Sequence, residues 1–145
     1  MKISTKGRYA LRMLIDLSMH KEEGYVSLKD VAERQGISKK YLEQIVPLLS
    51  RTGMLKANRG YQGGYALAKP ASEYTVADIL TLTEGSLAPI ACLESDENDC
   101  PRAAECITLP VWKGMYETIL NYLGGITLQD IIDSYGSSQA DNYVI

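Results

Sequence analysis

The clearest pattern of apolar and polar positions lies between residues 26 and 68, where two segments with helical spacing precede two short segments with the character of strands. Ser27 is placed to cap the first helix, and Gly36 to end it in a left-handed conformation. Ser38 is placed to cap the second helix, whose apolar residues recur on one side at Leu42, Ile45, Val46 and Leu49. This order predicts a mainly α fold, a winged helix-turn-helix with a two-stranded wing.

The side of the second helix opposite its apolar residues is built from long polar groups. Such groups suit the major groove of DNA, because Lys can bind guanine, Gln can bind adenine and Glu can accept from cytosine. We predict base contacts from Lys40, Glu43 and Gln44. The full DNA-binding set predicted on this helix is Ser38, Lys39, Lys40, Tyr41, Glu43 and Gln44. The alternative is a polar face that is simply solvated. Pro47 predicts a bend further along this helix.

The segment after Gly53 predicts the wing, with strands at 54–58 and 65–68 and a glycine-rich tip at 59–64. Arg59 and Tyr61 of the tip are predicted to contact phosphate or an adjacent minor groove. A glycine-rich stretch can instead cradle a nucleotide, but no Lys-Ser or Lys-Thr pair follows Gly64 and no helix begins there.

The charge of this 145-residue chain is divided unevenly along its length, although the net charge is only −3. Residues 1–70 hold 13 Lys and Arg against 6 Asp and Glu, whereas residues 71–145 hold 2 against 12. Local positive charge favours DNA, because neutralising phosphates releases counterions. The basic half is therefore predicted to face a duplex and the acidic half to face away.

The chain opens with a basic segment that leads into a first helix with apolar residues at Ala10, Met13, Leu14 and Leu17. Lys2, Lys6 and Arg8 are predicted phosphate contacts, since cations at a helix N-terminus oppose its dipole and do not favour folding. His20 is predicted to be solvated near the end of this helix, with metal ligation as the alternative. There is no 18-residue apolar run and no signal region, so we expect a cytoplasmic protein without a membrane partner.

The second half predicts a helix from Thr75 to Gly85, a loop from Ser86 to Glu105, and a long helix from Thr108. The long helix carries an apolar stripe at Trp112, Met115, Tyr116, Ile119 and Leu123. Because one small winged domain offers no place to bury this stripe, we predict a homodimer, whose two-fold symmetry matches a palindromic operator. Intramolecular packing of the stripe is the alternative.

After the break at 124–125, Thr127 is placed to cap a short helix that Gly136 would stop, leaving a loose tail from Ser137 to Ile145. We thus expect three units: a DNA-binding domain at 1–84, a cysteine-containing sensor loop at 85–106, and a dimerisation helix, short helix and tail at 107–145.

Three cysteines, Cys92, Cys100 and Cys106, lie within 15 residues of the loop. Three cannot form a disulfide framework, and a cytosolic cluster of thiols more often binds metal or responds to redox. Their spacings, with seven and then five intervening residues, match neither paired zinc knuckles nor ferredoxin runs. Cys106 precedes a helix N-terminus, which favours thiolate, whereas the carboxylates around it oppose thiolate. A metal or iron-sulfur site, a thiol switch and inert cysteines all remain open.

Four stretches of the chain resemble the IscR, CymR and NsrR family of bacterial regulators. They are the opening at 2–10, the run at 36–44, the wing at 59–65 and the three-cysteine loop ahead of Trp112. The resemblance implies a dimeric winged-helix transcription factor, with Lys40, Glu43 and Gln44 in the major groove and Arg59 at the minor groove. It also implies that the three cysteines hold an iron-sulfur cluster, with 2Fe-2S favoured over 4Fe-4S.

The chain departs from this family at Leu109, where members that resemble IscR have a histidine as fourth ligand. The fourth ligand is therefore unassigned, with a carboxylate of the loop or a residue of the partner's first helix as candidates. The leading hypothesis is a DNA-binding regulator whose operator affinity is controlled by the cluster. The alternative is a DNA-binding regulator that senses through zinc, thiol oxidation or a protein partner of cysteine metabolism. An enzyme is not expected, because His20 is the only histidine that could serve as a base.

Overall fold

The computed structural model describes residues 1–142 as helices grouped around a small antiparallel sheet. The helices are α1 (Thr5–Met19), α2 (Leu28–Gln35), α3 (Lys39–Arg51), α4 (Val76–Glu84), α5 (Leu109–Gly124) and α6 (Leu128–Asn142). The strands are β1 (Leu55–Asn58) and β2 (Gly64–Leu67). Short 3₁₀ turns lie at Lys21–Glu23, Ala71–Glu73, Ala91–Leu93 and Ala103–Glu105. The predicted winged helix-turn-helix is confirmed. Among the described residues, no helix is both long and apolar enough to cross a membrane.

The helix-turn-helix forms where the capping residues predict it. The Ser27 hydroxyl accepts a hydrogen bond from the amide of Asp30 at 3.1 Å, and the Ser38 hydroxyl accepts from the amide of Tyr41 at 3.1 Å. Between the two helices, Gly36 has φ +63°, a left-handed conformation that glycine adopts without steric strain. α3 continues across Pro47 as a single helix, and Pro47 is exposed. Proline has no amide hydrogen, so the carbonyl four residues before Pro47 receives no helical hydrogen bond. Because the site is exposed, water can bond to this carbonyl instead.

The wing is attached to the segment before α2 as well as to itself. β1 and β2 pair from Leu55 opposite Leu67 to Asn58 opposite Gly64, and each strand lies within a residue of its predicted bounds. Val26 and Tyr65 exchange two backbone hydrogen bonds of 2.9 and 2.8 Å. Because a Cβ at Gly64 would lie 2.3 Å from the Val26 carbonyl oxygen, only glycine permits this approach.

α1 lies at the centre of the core, with Ala10, Met13 and Leu14 fully buried. α2, α3 and α6 pack around it, and α6 contributes the fully buried Leu128. Tyr74 joins the wing base to α4, since its hydroxyl donates to the Met54 carbonyl at 2.7 Å and accepts from the Lys69 amide at 3.1 Å. Burial raises the pKa of Tyr74 above its ordinary value.

The apolar stripe of α5 is divided between two environments, which corrects its prediction as a pure dimer surface. Its residues Tyr116, Ile119 and Leu123 pack within the chain against a cluster formed by Val76, Leu80 and Leu87. Intramolecular packing, the alternative to a dimer surface, therefore holds in part, because these three side chains are partly buried within the chain. A second set remains exposed on α5, formed by Val111, Met115 and Tyr122, which are 61%, 46% and 67% accessible.

The last helix is longer than the sequence predicts. Thr127 caps α6 through its hydroxyl, which accepts from the amide of Asp130 at 3.0 Å. The helix then continues through Gly136 to Asn142, so the predicted stop at Gly136 and the loose segment after it were wrong within the described residues. Gly136 does not have the positive φ of a stop, and glycine inside a helix weakens it by only about 1 kcal/mol. The remainder of the predicted tail, residues 143–145, lies outside the described residues.

Candidate nucleic-acid interface and cysteine loop

The exposed face at the start of α3 presents four long polar side chains, those of Lys39, Lys40, Glu43 and Gln44. Lys39 and Glu43 form an ion pair of 3.8 Å, with both side chains more than half exposed. An exposed pair of this kind contributes only about 0.3 to 0.5 kcal/mol. Both groups are thus free to exchange this contact for one with a ligand.

Ser38 and Tyr41 differ from these four residues because the fold already uses their side chains. The Ser38 hydroxyl caps α3, as described above. Tyr41 is half-buried, and its ring meets that of Tyr9 edge to face, with centroids 5.3 Å apart. Tyr9 in turn lies under the guanidinium of Arg12 at 5.4 Å. These contacts hold the first turn of α3 against α1, so its exposed side chains start from a rigid base.

The wing borders the same face. A groove runs between α3 and the wing, and its lining includes Lys39, Glu43, Asn58 and Arg59. Arg59 and Tyr61 are exposed at the wing tip, and the Tyr61 side chain is fully accessible. The structure therefore brings three of the predicted residues, Lys39, Glu43 and Arg59, to one groove. Lys40 and Gln44 are exposed on α3 beside this groove but do not line it, and Tyr61 lines a separate depression at the wing tip.

The basic residues at the start of the chain are also exposed. Lys2, Lys6 and Arg8 surround the first turn of α1, where Ser4 accepts a hydrogen bond from the Gly7 amide at 3.2 Å. Arg8 donates to the Thr5 hydroxyl at 3.2 Å, and no salt bridge of the described residues involves these three cations. Their charges are available to a phosphate group.

A buried carboxylate supports the reading head, which is the surface formed by α2, α3 and the wing, and the sequence patterns did not reveal it. Asp16 of α1 is only 2% exposed and accepts hydrogen bonds from two residues at the end of α2. Arg34 donates from Nη2 at 2.7 Å and from Nε at 3.0 Å, and Gln35 donates from Nε2 at 3.0 Å. The hydrogen bond to Asp16 raises the pKa of Arg34. Asp16 thereby fixes the end of α2 immediately before the turn into α3.

The signal for this support was present in the pattern of α1. Asp16 follows Met13 by three residues and precedes Leu17, so a charged group stands on the apolar side of the helix. A buried charge requires a partner. The sequence alone does not identify that partner, because Arg34 lies 18 residues away. Arg12 adds to the network by donating to the Gln35 backbone carbonyl and, at 3.2 Å, to its Oε1.

His20 lies at the end of α1, as predicted, but it is linked to Asp16. Its Nδ1 is 2.8 Å from the Asp16 carbonyl oxygen and 3.8 Å from the carboxylate, and 29% of the side chain is exposed. Within residues 1–142, no group of three or more His, Cys, Asp or Glu side chains is arranged to hold a metal ion.

The three cysteines lie on one loop between α4 and α5 as free thiols. Cys92 is in the turn Ala91–Leu93, Cys100 is exposed, and Cys106 follows the turn Ala103–Glu105. The donor set is of the kind that binds iron-sulfur clusters. The loop does not bring the three thiols together, however, so the structure supports the ligand types without supplying the coordination geometry.

Cys106 has the most distinctive environment of the three. The Thr108 hydroxyl, 3.5 Å from Sγ, lowers the pKa of the thiol, and the backbone amides of Thr108 and Leu109 and the charge of Arg102 lower it further. The sequence predicts that a thiolate is favoured at the start of the long helix, and this pKa shift has the same direction. Cys106 is therefore the thiol best prepared to act as a ligand or a nucleophile.

Comparisons with known proteins cover nearly the whole chain. A sequence model of the Rrf2 family, described as "Iron-dependent Transcriptional regulator", matches residues 3–134. The protein rrf2 of Nitratidesulfovibrio vulgaris is 41% identical over 133 residues, which are 91% of this chain and 87% of that protein. The match therefore includes α3, the wing and the cysteine loop.

Two solved structures are similar in both sequence and fold. T. potens IscR is 37% identical with a TM-score of 0.75, and the match covers 96% of this chain and 91% of that one. CymR, described as the global cysteine regulator of B. subtilis, is 34% identical with a TM-score of 0.76, covering 92% and 98%.

Proposed function

The chain belongs to the Rrf2 family of transcriptional regulators, and we propose that it binds operator DNA as a homodimer whose affinity is controlled by an iron-sulfur cluster. The family and the winged-helix fold inferred from the sequence are confirmed. The family is described as one of transcriptional regulators and not of enzymes, in agreement with the expectation from the sequence. The particular contacts to DNA, the dimer and the cluster are proposals for this chain.

One observation carries the DNA-binding proposal: the polar face of α3 and the basic wing tip border the same groove. In our proposal α3 enters the major groove, where Lys40, Glu43 and Gln44 contact base edges. Arg59 and Tyr61 contact the backbone or the adjacent minor groove, and Lys2, Lys6 and Arg8 contact phosphates. The base contacts provide specificity, and the cations provide most of the salt-dependent affinity.

A duplex selected by the protein itself from a random pool is the appropriate probe, because the selection identifies the preferred sequence and the affinity can then be measured on it. We expect Arg59→Ala to weaken binding and to make its salt dependence shallower by about one phosphate contact. Lys69→Ala removes an equivalent positive charge near the wing base, away from the proposed contacts, and is the control. An unchanged salt dependence in Arg59→Ala would remove this residue from the interface.

The exposed set on α5 supports the homodimer proposal. Val111, Met115 and Tyr122 are spaced so that they lie on one side of the helix, which adjoins the side that packs on α4. In a two-fold dimer, the same side of a second copy would cover this surface. We expect sedimentation to give a dimer, and the double substitution Met115→Glu with Tyr122→Glu to give a monomer. Glu117→Lys, on an exposed polar position of the same helix, is the control.

The cluster proposal rests on the donor set and on the family. Cys92, Cys100 and Cys106 are the residues that would hold the group, and no fourth ligand is assigned because the side chain of Leu109 has no ligating atom. A bound cluster would supply a group whose oxidation and iron content respond to the cell. This chain's own contribution is three thiols on one loop, one of which has a lowered pKa.

Anaerobic purification with iron and sulfide analysis tests the cluster proposal directly. We expect a coloured protein containing both elements, and loss of both in Cys100→Ser but not in the neighbouring control Ser95→Ala. The selected duplex should then distinguish the loaded from the chelator-treated protein. A colourless protein with zinc or free thiols would instead support the alternative regulator.

That alternative is favoured by two observations. The Cys106 thiol has a lowered pKa and is accessible, as a redox-sensitive thiol requires. The chain is also similar to CymR, whose description concerns cysteine regulation. In this alternative the same loop senses through zinc, thiol oxidation or a protein partner of cysteine metabolism, and the DNA contacts are unchanged.

A further inference from the structure

The first four residues of the chain are anchored to the start of the cysteine loop. We call Met1–Ser4 the N-terminal arm and residues 85–89 the loop root. The Met1 ammonium donates to the Pro89 carbonyl at 3.4 Å. Ile3 packs against the cluster of Val76, Leu80 and Leu87, and Leu87 is 1% exposed. The N-terminal arm therefore contacts the loop root twice, through the hydrogen bond from Met1 to Pro89 and through the packing of Ile3 against the cluster that contains Leu87.

The strongest link is made by Glu84, the last residue of α4. Its Oε1 accepts two hydrogen bonds from Ser4, one from the hydroxyl at 2.7 Å and one from the amide at 3.1 Å. The Ser4 hydroxyl in turn accepts from the Gly7 amide and so caps α1. A carboxylate at this position also interacts favourably with the helix dipole. Glu84 thus holds the cap residue of α1 from the end of α4.

The space between α1 and α4 leaves no room for adjustment at this link. Gly7 is buried, and a Cβ at this position would lie 2.4 Å from the Glu84 Oε1 and 3.0 Å from a methyl carbon of Leu80. Any side chain would therefore displace the Glu84 carboxylate. Because the next residue, Gly85, ends α4 and begins the loop root, the two elements meet where the cysteine loop starts.

Three exposed cations flank the linked residue: Lys2, Lys6 and Arg8. Their distance from a bound duplex depends on the position of Ser4, and Ser4 is held by Glu84. We propose that Glu84 is a positioning residue that couples the loop root to the DNA-contacting start of α1. This inference rests on the proposed function, since it assumes that these cations contact phosphates.

Whether Glu84→Ala raises or lowers DNA affinity distinguishes a positioning role of Glu84 from a simple effect of its charge. Removing the Glu84 charge makes the protein more positive, which by itself strengthens attraction to DNA. Glu73→Ala, at an exposed carboxylate before α4, measures that gain alone. If Glu84 positions the arm, Glu84→Ala should instead weaken binding to a 30-base-pair duplex of random sequence. Its salt dependence should also become shallower by about one to three phosphate contacts.

A double-mutant cycle identifies the arm as the route of the effect. We expect Lys2→Ala to weaken binding less in the Glu84→Ala protein than in the unmodified protein, because the arm is already displaced there. Arg59→Ala, at the wing, should have the same effect in both. Glu84→Gln keeps an oxygen that can accept from Ser4, so the effect of Lys2→Ala in this protein should lie between its effects in the unmodified and the Glu84→Ala proteins. An equal effect of Lys2→Ala in both proteins would overturn the positioning role.

The anchor itself is measurable without DNA. Exchange of the Ser4 amide, followed by NMR, should be slow in the full-length protein and faster in Glu84→Ala, with α3 unchanged. Equal exchange in the two proteins would overturn the proposal. If the unmodified protein bound no duplex at low salt, the proposed function would fail together with this positioning role. If it bound DNA while the cycle showed no coupling, only the positioning role would fail.

The coupling between the cysteine loop and the start of α1 is tested by comparing DNA binding with the loop loaded with metal and with the metal removed. In the full-length protein, the salt dependence of binding should differ between the metal-loaded and the chelator-treated forms. This difference should be lost in Glu84→Ala. An equal difference in both proteins would show that the loop acts through another route, and would overturn the coupling.

Discussion

The reading head and the cysteine loop differ in how completely a single chain supports them. Between Gly7 and Leu55, buried residues recur in each helix, and α2 and α3 begin with side-chain caps. Between residues 89 and 127, which include all three thiols and α5, no residue is buried. The first region is completed by its own core. The second leaves thiols and apolar side chains exposed, which makes it the region with surface left for a ligand or a second copy to cover.

This difference explains why the two regions suit different tasks. A surface that reads DNA must keep its geometry before DNA arrives, because ordering it on binding would reduce affinity. A sensor must respond to a ligand, and responsive regions have few buried contacts. The linkage from Glu84 to Ser4 connects the two regions, since it holds the cap of α1, where the first region begins, against the end of α4, after which the cysteine loop follows.

The largest expected effect tests whether the reading head depends on its buried carboxylate. Asp16→Ala should lower the free energy of unfolding by about 1.5 to 3 kcal/mol, because the charge-assisted hydrogen bonds from Arg34 and Gln35 lose their acceptor, while the exposed Arg34 can return to water. Urea denaturation measures this value. Asp96→Ala in the cysteine loop should change it by less than about 0.5 kcal/mol. A comparable loss in the two variants would remove the contrast between the regions.

The next effect tests base reading by the exposed face of α3. Glu43→Ala should lower discrimination at one base pair by about 1 to 3 kcal/mol, because a carboxylate that accepts from cytosine is removed. Binding to the selected duplex and to its single-base variants measures this discrimination. Lys21→Ala, outside the interface, should leave it unchanged. A uniform loss on every duplex would assign Glu43 to general affinity and not to reading.

A smaller effect tests the corrected end of α6. Gly136→Ala should stabilise the protein by about 0.5 to 1 kcal/mol, because alanine has the higher helix propensity and the added methyl group would meet no atom within 4 Å apart from the adjoining backbone of its own helix. Thermal unfolding measures the gain. Gly85→Ala is the opposite control, since this glycine has φ +82° and the same change there should destabilise the protein. Destabilisation by Gly136→Ala would restore the predicted stop.

The smallest effect concerns the acidity of one thiol. The Thr108 hydroxyl and neighbouring amides stabilise the Cys106 thiolate, so its pKa lies below the ordinary value. The rate of alkylation at Cys106 should therefore rise at lower pH than for an unperturbed thiol. Thr108→Val removes the hydroxyl donor and should move this rise to higher pH, whereas Thr118→Val on the exposed side of α5 should not. Mass spectrometry of alkylated peptides measures both, and identical pH profiles would contradict the role of Thr108.

Local features of the chain were predictable because short-range physics decides them. Ser27 and Ser38 each cap a helix by accepting a hydrogen bond from the unpaired amide three residues later in the chain. Gly36 adopts a left-handed conformation that other residues disfavour. The wing is predicted by two short strand-like segments that are joined by a glycine-rich turn. Such features depend on neighbours within a few residues, so the sequence displays their causes directly.

Contacts across the chain required the tertiary structure. The partner of Asp16 is 18 residues away, and that of Ser4 is 80 residues away. A charge on the apolar side of α1 is a local signal for a buried Asp16, but neither partner can be identified from neighbouring residues. The stripe of α5 suggests a partner subunit because its pattern records only that the residues are apolar, whereas the surface that covers three of them lies on α4 and the loop root. Gly136 suggests a stop because glycine suits both a stop and a weakened helix.

The sequence by itself determined the winged helix-turn-helix, the polar face of α3 and the loop that carries three thiols. Only the tertiary structure decided which charges are buried, how far α6 continues, and how the start of the chain is held at the root of the cysteine loop. The reason is physical: backbone preferences and periodicity act over a few residues, whereas burial and charge pairing depend on elements brought together only when the chain folds.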